Sequence, residues 1–363
     1  MMNRRVGAGP TCRMILPILT AGLFLVASPL HAQTTLPPVT VGAGVQTSFV
    51  HDMPDCGDDD GCSTDRFFVN SARLYLGGSA TKDIKFMFNT EYDMASQRIG
   101  VIDAAAQIST SPKFNLWMGR FLAPSDRANL YGPYYSNHWS IYTDGIQDGY
   151  PFVTTGRSDG VMYWGQFGKV KLAGGAFDGS SLGTGSDEVL VAARAMVDFW
   201  DVEEGYYLNG TYYGAKNLLA LGGAVQAQDG NTAATFDFLL ERKVGEGGAI
   251  SIESEYANYD NLGGYYSGVG SGGYAASDGA YILGAYLIGK PAGIGKFQLL
   301  GKYAQANFSK GITADFDQKT TEFNVNYIIR DFNARVMFFF KNTSFSAVKT
   351  DSKQVGVGLQ IQM

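Results

Sequence analysis

Histidine and cysteine are nearly missing from these 363 residues, with three of each. That removes the usual carriers of several chemistries. No HExxH occurs and no His or Cys spacing suits a metal, so neither catalysis nor a cofactor is expected. Of the histidines, His31 precedes a candidate cleavage point, His51 borders a loop, and His138 beside Trp139 reads as a polar lining residue rather than a general base. Positive charge is not in excess either: Lys and Arg number 28 against 34 Asp and Glu. Nucleic acid, which calls for clustered positive charge, is not an expected partner. After residue 33 there is no sustained helical period and no apolar run near the roughly 20 residues that a spanning helix needs.

The N-terminus has the parts of a secretory signal. Arg4, Arg5 and Arg13 make a basic start, residues 14–27 are mostly apolar, and Leu30-His31-Ala32 offers a small-residue cleavage point. Residues 1–32 are therefore expected to be removed, leaving 33–363 as one domain. A retained anchor is the alternative, but the run is short for one and contains Pro17. Removal takes Cys12 and three arginines, leaving 25 basic against 34 acidic residues, a net charge of −9. The remaining even pair, Cys56 and Cys62, is expected to be a disulfide in an oxidising compartment.

What is present is alternation with a period of two. Ile84, Phe86, Phe88, Thr90 and Tyr92 oppose Lys85, Met87, Asn89, Glu91 and Asp93. Ile102, Ala104, Ala106 and Ile108 oppose Asp103, Gln107 and Ser109, and Val355, Val357, Leu359, Ile361 and Met363 oppose Gln354, Gln360 and Gln362. A soluble sandwich shares this pattern, so connection lengths have to decide. Sixteen strands are expected, near 39–50, 66–79, 83–94, 99–110, 113–121, 158–167, 169–178, 187–200, 216–228, 231–243, 248–260, 279–290, 295–308, 319–330, 332–344 and 352–363. Short connections follow the second, fourth, sixth, tenth, twelfth and fourteenth strands. Long ones, including 51–65, 122–157 and 261–278, fall on the other side. An even strand count with short turns at one end and long loops at the other is the pattern of an all-β transmembrane antiparallel barrel, whose expected contacts are outer-membrane lipid and, during insertion, the barrel-assembly machinery. The exception is 201–215, a long connection at the short end, for which the pattern offers no account beyond a structured periplasmic plug or cap. The 21 Tyr, 23 Phe and 4 Trp suit interfacial girdles but are equally explained by strand propensity.

Several segments carry a family likeness: RFFVNSARLYLGGS at 66–79, IKFMFNTE at 84–91, GRF at 119–121, RSDGVMYWG at 157–165, GGAFDG at 174–179 and GTYYG at 210–214. The chain resembles the phosphate-selective porin O/P family over nearly all of residues 33–363. The resemblance implies a homotrimeric 16-stranded channel whose third outer loop folds inward. It departs from the family's arginine-rich wall. By alternation the lumen holds Arg73, Lys85, Lys171, Arg194, Lys296, Lys302, Arg335 and Lys341 against Glu91, Asp93, Asp103, Asp198, Asp237, Glu241, Glu253, Glu255 and Glu322. Such a mixed wall points to passive diffusion of small hydrophilic solutes and ions. A phosphate- or anion-selective channel, or a non-conducting adhesion barrel, are the alternatives.

Loop 122–157 is the best functional candidate, since long loops without regular structure tend to be functional. Asp126, Arg127, Asp144 and Asp148, flanked by Arg120 and Arg157, are expected to form a constriction in which opposed charges decide which ions pass. Tyr131, Tyr134, Tyr135, Trp139 and Tyr142 lie between them, an aromatic density unsuited to an outward, solvated loop. Arg120 sits on the apolar parity of Phe114, Leu116 and Met118, which suggests a β-bulge. Loop 52–65 carries six aspartates, but Cys56 stands where a calcium loop ending at Gly61 needs its first acid, so an acidic solvated loop is expected.

Overall fold

A computed structural model describes residues 38–57, 62–93, 97–139, 141, 143–146, 157–179, 188–260, 262, 274–311, 314–347 and 349–363. Candidate signal residues 1–32, Asp58, Asp59, Asp60, Tyr142 and Asp148 lie outside them, as does the side chain of Asp93.

Sixteen strands follow one another: β1 (Val39–Pro54), β2 (Thr64–Ser79), β3 (Ile84–Asp93), β4 (Arg98–Ser111), β5 (Phe114–Leu122), β6 (Arg157–Phe167), β7 (Val170–Phe177) and β8 (Leu190–Asp198). After them come β9 (Leu218–Gln228), β10 (Asn231–Val244), β11 (Gly248–Asp260), β12 (Tyr274–Leu287), β13 (Lys296–Gly311), β14 (Phe316–Arg330), β15 (Ala334–Phe345) and β16 (Ser352–Gln362). Each pairs antiparallel with its sequence neighbour, and β1 pairs with β16 from Gly44↔Gln362 to Pro54↔Ser352, closing the barrel. Closure leaves no unpaired edge, which a sheet in hydrocarbon requires.

The alternation in the sequence becomes two opposite faces. On β10 and β14, Phe236 and Phe323 are more than half exposed outward, while Asp237 and Glu322 are about 1% exposed inward. Apolar side chains therefore meet the surroundings and carboxylates meet the interior, the reverse of a soluble protein and the arrangement that suits lipid. Short turns form where the backbone permits them. Phe167 pairs with Val170 across a two-residue turn whose Gly168 takes φ +65°, a conformation that costs glycine nothing.

Three expectations need correction. β12 begins at Tyr274 and ends at Leu287, against an expected 279–290, because Gly289 and Pro291 already belong to the turn and proline cannot donate to a ladder. Ile102 does not share a regular face with Ala104. The β3–β4 register passes from Asn89↔Asp103 to Thr90↔Val101, so Ile102 is the extra residue of a β-bulge and is buried. Arg120, by contrast, lies in an unbroken ladder opposite Ala104 and Asp159. It keeps the outward parity of Met118, and no bulge turns it inward.

Candidate functional site

Inside the barrel lies the described part of the chain between β5 and β6. It opens with Asp126, whose carboxylate caps a five-residue helix, α1 (Arg127–Tyr131), by accepting from Asn129 N at 2.7 Å. A 3₁₀ turn, Pro133–Tyr135, follows. Irregular backbone leaves carbonyls without ladder partners, and these must be satisfied if buried. Donors on the inner wall supply them from around the circumference. Gln46 of β1 reaches Pro133 O (3.1 Å), Arg194 of β8 reaches Ser125 O (2.9 Å) and Gln226 of β9 reaches Pro124 O (3.0 Å). Gln318 of β14 reaches Thr143 O (2.9 Å), and Gln360 of β16 reaches Tyr134 O (2.9 Å). Only a loop within the lumen can touch strands on all sides, so the expected inward fold is present. Glycines on the wall make room for its rings: a Cβ on Gly44 would lie 2.6 Å from the Tyr134 ring, and one on Gly358 would lie 2.5 Å from Trp139.

The connection between β8 and β9 enters from the opposite end. Its Leu208 N donates to Leu130 O (3.3 Å), its Gly210 N to Tyr135 O (2.9 Å), and Tyr206 Oη to Leu122 O (2.9 Å). Glu241 of β10 tethers it by accepting from Thr211 Oγ1 (2.7 Å), Tyr212 N (2.8 Å) and Gly214 N (2.7 Å). Where the two insertions meet, fully buried Arg127 pairs with fully buried Glu203 and approaches Asp237 at 3.7 Å, while Arg194 grips Asp237 through two bonds of 2.5 and 2.8 Å. Burial pushes the Glu203 carboxyl up, but Arg127 more than reverses this and holds it below the usual range. The chemistry of this cluster is mutual neutralisation: it fastens two insertions to the wall and to each other.

That fastening accounts for three of the five described constriction candidates. Asp126 caps a helix, Arg127 pairs with Glu203, and Asp144 pairs with Lys302 at 2.5 Å. All three are buried away from open space. Arg120 bonds Asp159 at 3.3 Å on the outer face of the barrel, so its place in a constriction has to be withdrawn. Arg157 alone among the described members of that set lines the main cavity, 3.2 Å from Asp103. Asp93 aside, whose side chain lies outside the described residues, the expected wall residues lie on the inward parity of their strands. Glu253 accepts from Tyr131 (2.9 Å) and Tyr281 (2.6 Å), Glu322 stands in register with Lys302 and Lys341, and Arg335 donates to Ser136 O at 2.5 Å. Glu255 is buried beneath the loop. Among the described residues no group of three or more His, Cys, Asp or Glu could hold a metal ion. Cys56 and Cys62 form a disulfide on the first long loop.

The open space is one-sided. A cavity of about 960 Å³ runs from the short-turn ends of β1–β4 to the loop backbone at Asn129–Gly132. Among the described residues its lining includes the basic side chains of Arg73, Lys85 and Arg157 and one acidic side chain, Asp103. Glu91 is drawn back against Arg73 and Ser71, the latter at 2.6 Å. The sequence did not mark Tyr75, Trp117 and Tyr207 as cavity residues, nor Glu203 as a clasp. Alternation signalled the inward direction of Tyr75 and Trp117, and the misplaced length of 201–215 was the one hint for Glu203 and Tyr207.

A closed 16-stranded antiparallel barrel with a polar inner and apolar outer face is the outer-membrane barrel architecture. Neither a protein-family model nor a curated protein sequence matches the chain. Solved structures with a similar fold include OmpF of Salmonella typhi in complex with daunomycin, at 13% identity and a TM-score of 0.58, covering 90% of this chain and 98% of that one. An anion-selective porin from Comamonas acidovorans has 15% identity and a TM-score of 0.55, covering 90% and 100%. In vitro-folded OmpT, an outer-membrane protein of Vibrio cholerae in trimer form, has 15% identity and a TM-score of 0.55, covering 90% and 99%.

Proposed function

We propose that this chain is an outer-membrane porin, passing small hydrophilic solutes and ions by diffusion, after export on a cleaved signal of residues 1–32 and insertion by the barrel-assembly machinery. One observation carries the reading. The wall is apolar where it faces out and charged where it faces in, and a cavity of about 960 Å³ reaches from one end to the Arg157–Asp103 pair at the loop. A homotrimer is the assembly this reading favours, supported by the family resemblance and by the trimer form of the Vibrio cholerae neighbour. Stepwise conductance in a planar bilayer tests it. A folded barrel that never conducts would favour the adhesion or structural alternative.

Anion preference is a second reading with its own support. Among the described residues the cavity is lined by Arg73, Lys85 and Arg157, of which Arg73 pairs with Glu91 and Arg157 with Asp103 so that Lys85 is the excess cation, whereas Asp237, Glu241, Glu253, Glu255 and Glu322 lie buried. Field lines in a narrow low-dielectric passage follow the nearest charges, so a chain acidic overall can present a basic path. The resemblance to phosphate-selective porins and the neighbour described as an anion-selective porin lie on the same side.

A further inference from the structure

Aromatic side chains make up part of the cavity's lining. Tyr75, Trp117, Tyr135 and Tyr207 border it from three sources: the β2 and β5 walls, the loop after β5, and the insertion after β8. Trp117 and Tyr207 form a tilted pair with centroids 5.9 Å apart. Apolar lining with a few placed charges characterises organic-ligand sites. The state of its cations narrows the ligand further. Arg73 is paired with Glu91 and Arg157 with Asp103, so each is already balanced by a carboxylate. Lys85 at the short-turn end is exposed and makes no ion pair with any described residue. A compact dianion such as phosphate calls for several unbalanced cations converging on one point. One unbalanced cation on the same cavity as these rings instead matches a solute with one negative charge and a flat apolar body.

We infer that this cavity is a binding station for small organic monoanions, with aromatic monocarboxylates as the favoured class. The ring-bordered wall packs the solute's apolar body and Lys85 meets its carboxylate at the mouth. The inference deepens the channel reading and rests on it for how the solute arrives.

The test is calorimetric titration of the full-length, detergent-folded protein with benzoate, benzyl alcohol and inorganic phosphate, with bilayer conductance measured in parallel. Saturable benzoate binding is expected, with benzyl alcohol and phosphate weaker. Lys85→Gln changes an exposed side chain and should weaken benzoate by about threefold, the scale of a single solvent-exposed ion pair. It should leave benzyl alcohol unchanged. Tyr135→Ser, at a ring 39% exposed, should weaken both aromatic probes by about threefold or more. Absent benzoate binding, phosphate binding as tight as benzoate, or an unaltered benzoate affinity in Lys85→Gln would each overturn the inference. Conductance without benzoate binding sinks the station and spares the channel. Benzoate binding without conductance sustains the station and sinks the channel.

Discussion

Arg127 and Glu203 enter the barrel from opposite ends and meet inside it as a fully buried ion pair. Arg127 begins the helix of the long outer loop, and Glu203 lies in the connection between β8 and β9. Tyr212 adds a hydroxyl donor to Glu203 at 2.9 Å, and Lys171 Nζ donates to the Glu203 carbonyl at 2.7 Å. The pair thus couples two insertions that are 76 residues apart in sequence.

Glu203→Ala should cost about 3–5 kcal/mol, because it strands a buried guanidinium rather than deleting a balanced pair. Denaturant unfolding in detergent measures this. The double replacement Arg127→Met with Glu203→Leu should cost far less, and equal losses for the two variants would show that the pair's charge is not what matters.

Replacing residues 200–216 by an Asn-Gly turn should raise unitary conductance, since it removes the insertion that packs against the loop while keeping the Asp198↔Ala220 register. Conductance unchanged in a correctly folded variant would place the solute path elsewhere.

Arg157→Gln should move the reversal potential in a salt gradient toward cations, and higher ionic strength should shrink the shift by screening. Arg120→Gln should leave it where it was, because that side chain lies on the outer face beside Asp159. A shift from Arg120→Gln comparable to that from Arg157→Gln would return Arg120 to the lumen.

His138 sits on the loop, outside the strands, with its Nε2 3.0 Å from Lys302 Nζ. Burial, then Lys302 and Arg335, hold its pKa well below the ordinary 6.5. The unfolded chain therefore binds a proton that the folded loop refuses, and stability falls as pH drops below about 6.5. NMR titration should find the His138 ring still neutral at pH values below 6.5, where a free imidazole is protonated, and His138→Gln should lessen the loss of stability there.

Exported protein should carry the Cys56–Cys62 bond, so alkylation under non-reducing conditions should label neither cysteine. Its loop is short, and reduction should cost about 2 kcal/mol or less. Labelling of both would remove the bond from the exported protein.

How much of this was legible in the sequence depends on what enforces each feature. A barrel wall obeys a local rule, one residue in and the next out, and so Asp237, Glu253 and Arg335 could be assigned to the lumen from β10, β11 and β15 alone. Ile102 defeats the rule because a bulge inserts one residue, and an isoleucine is acceptable on either parity. The filling of the lumen obeys no local rule. Arg127 and Asp144 stand on the loop and Arg157 where β6 begins, yet the first two are spent on fastening and the last borders open space. That difference is set by Glu203 and Lys302, which are distant in sequence. Sorting a mixed wall into a covered acidic part and an open basic part requires knowing which strands the insertions cover.

The seam between β1 and β16 has a bearing on how the barrel is built. Gln46 and Gln360 bond each other across it at 2.7 Å over 314 residues of chain, and the same two amides hold the loop through Pro133 O and Tyr134 O. Sealing the cylinder and seating the loop are therefore one event: a nascent barrel open at this seam would lack half of the loop's cradle there, and a seam closing first would have to admit the loop into a finished tube. Contacts of such sequence separation form late and slowly. The assembly route this geometry favours is zippering from the interior strands outward, with the loop already laid against them, so that the last stitch locks wall and contents together.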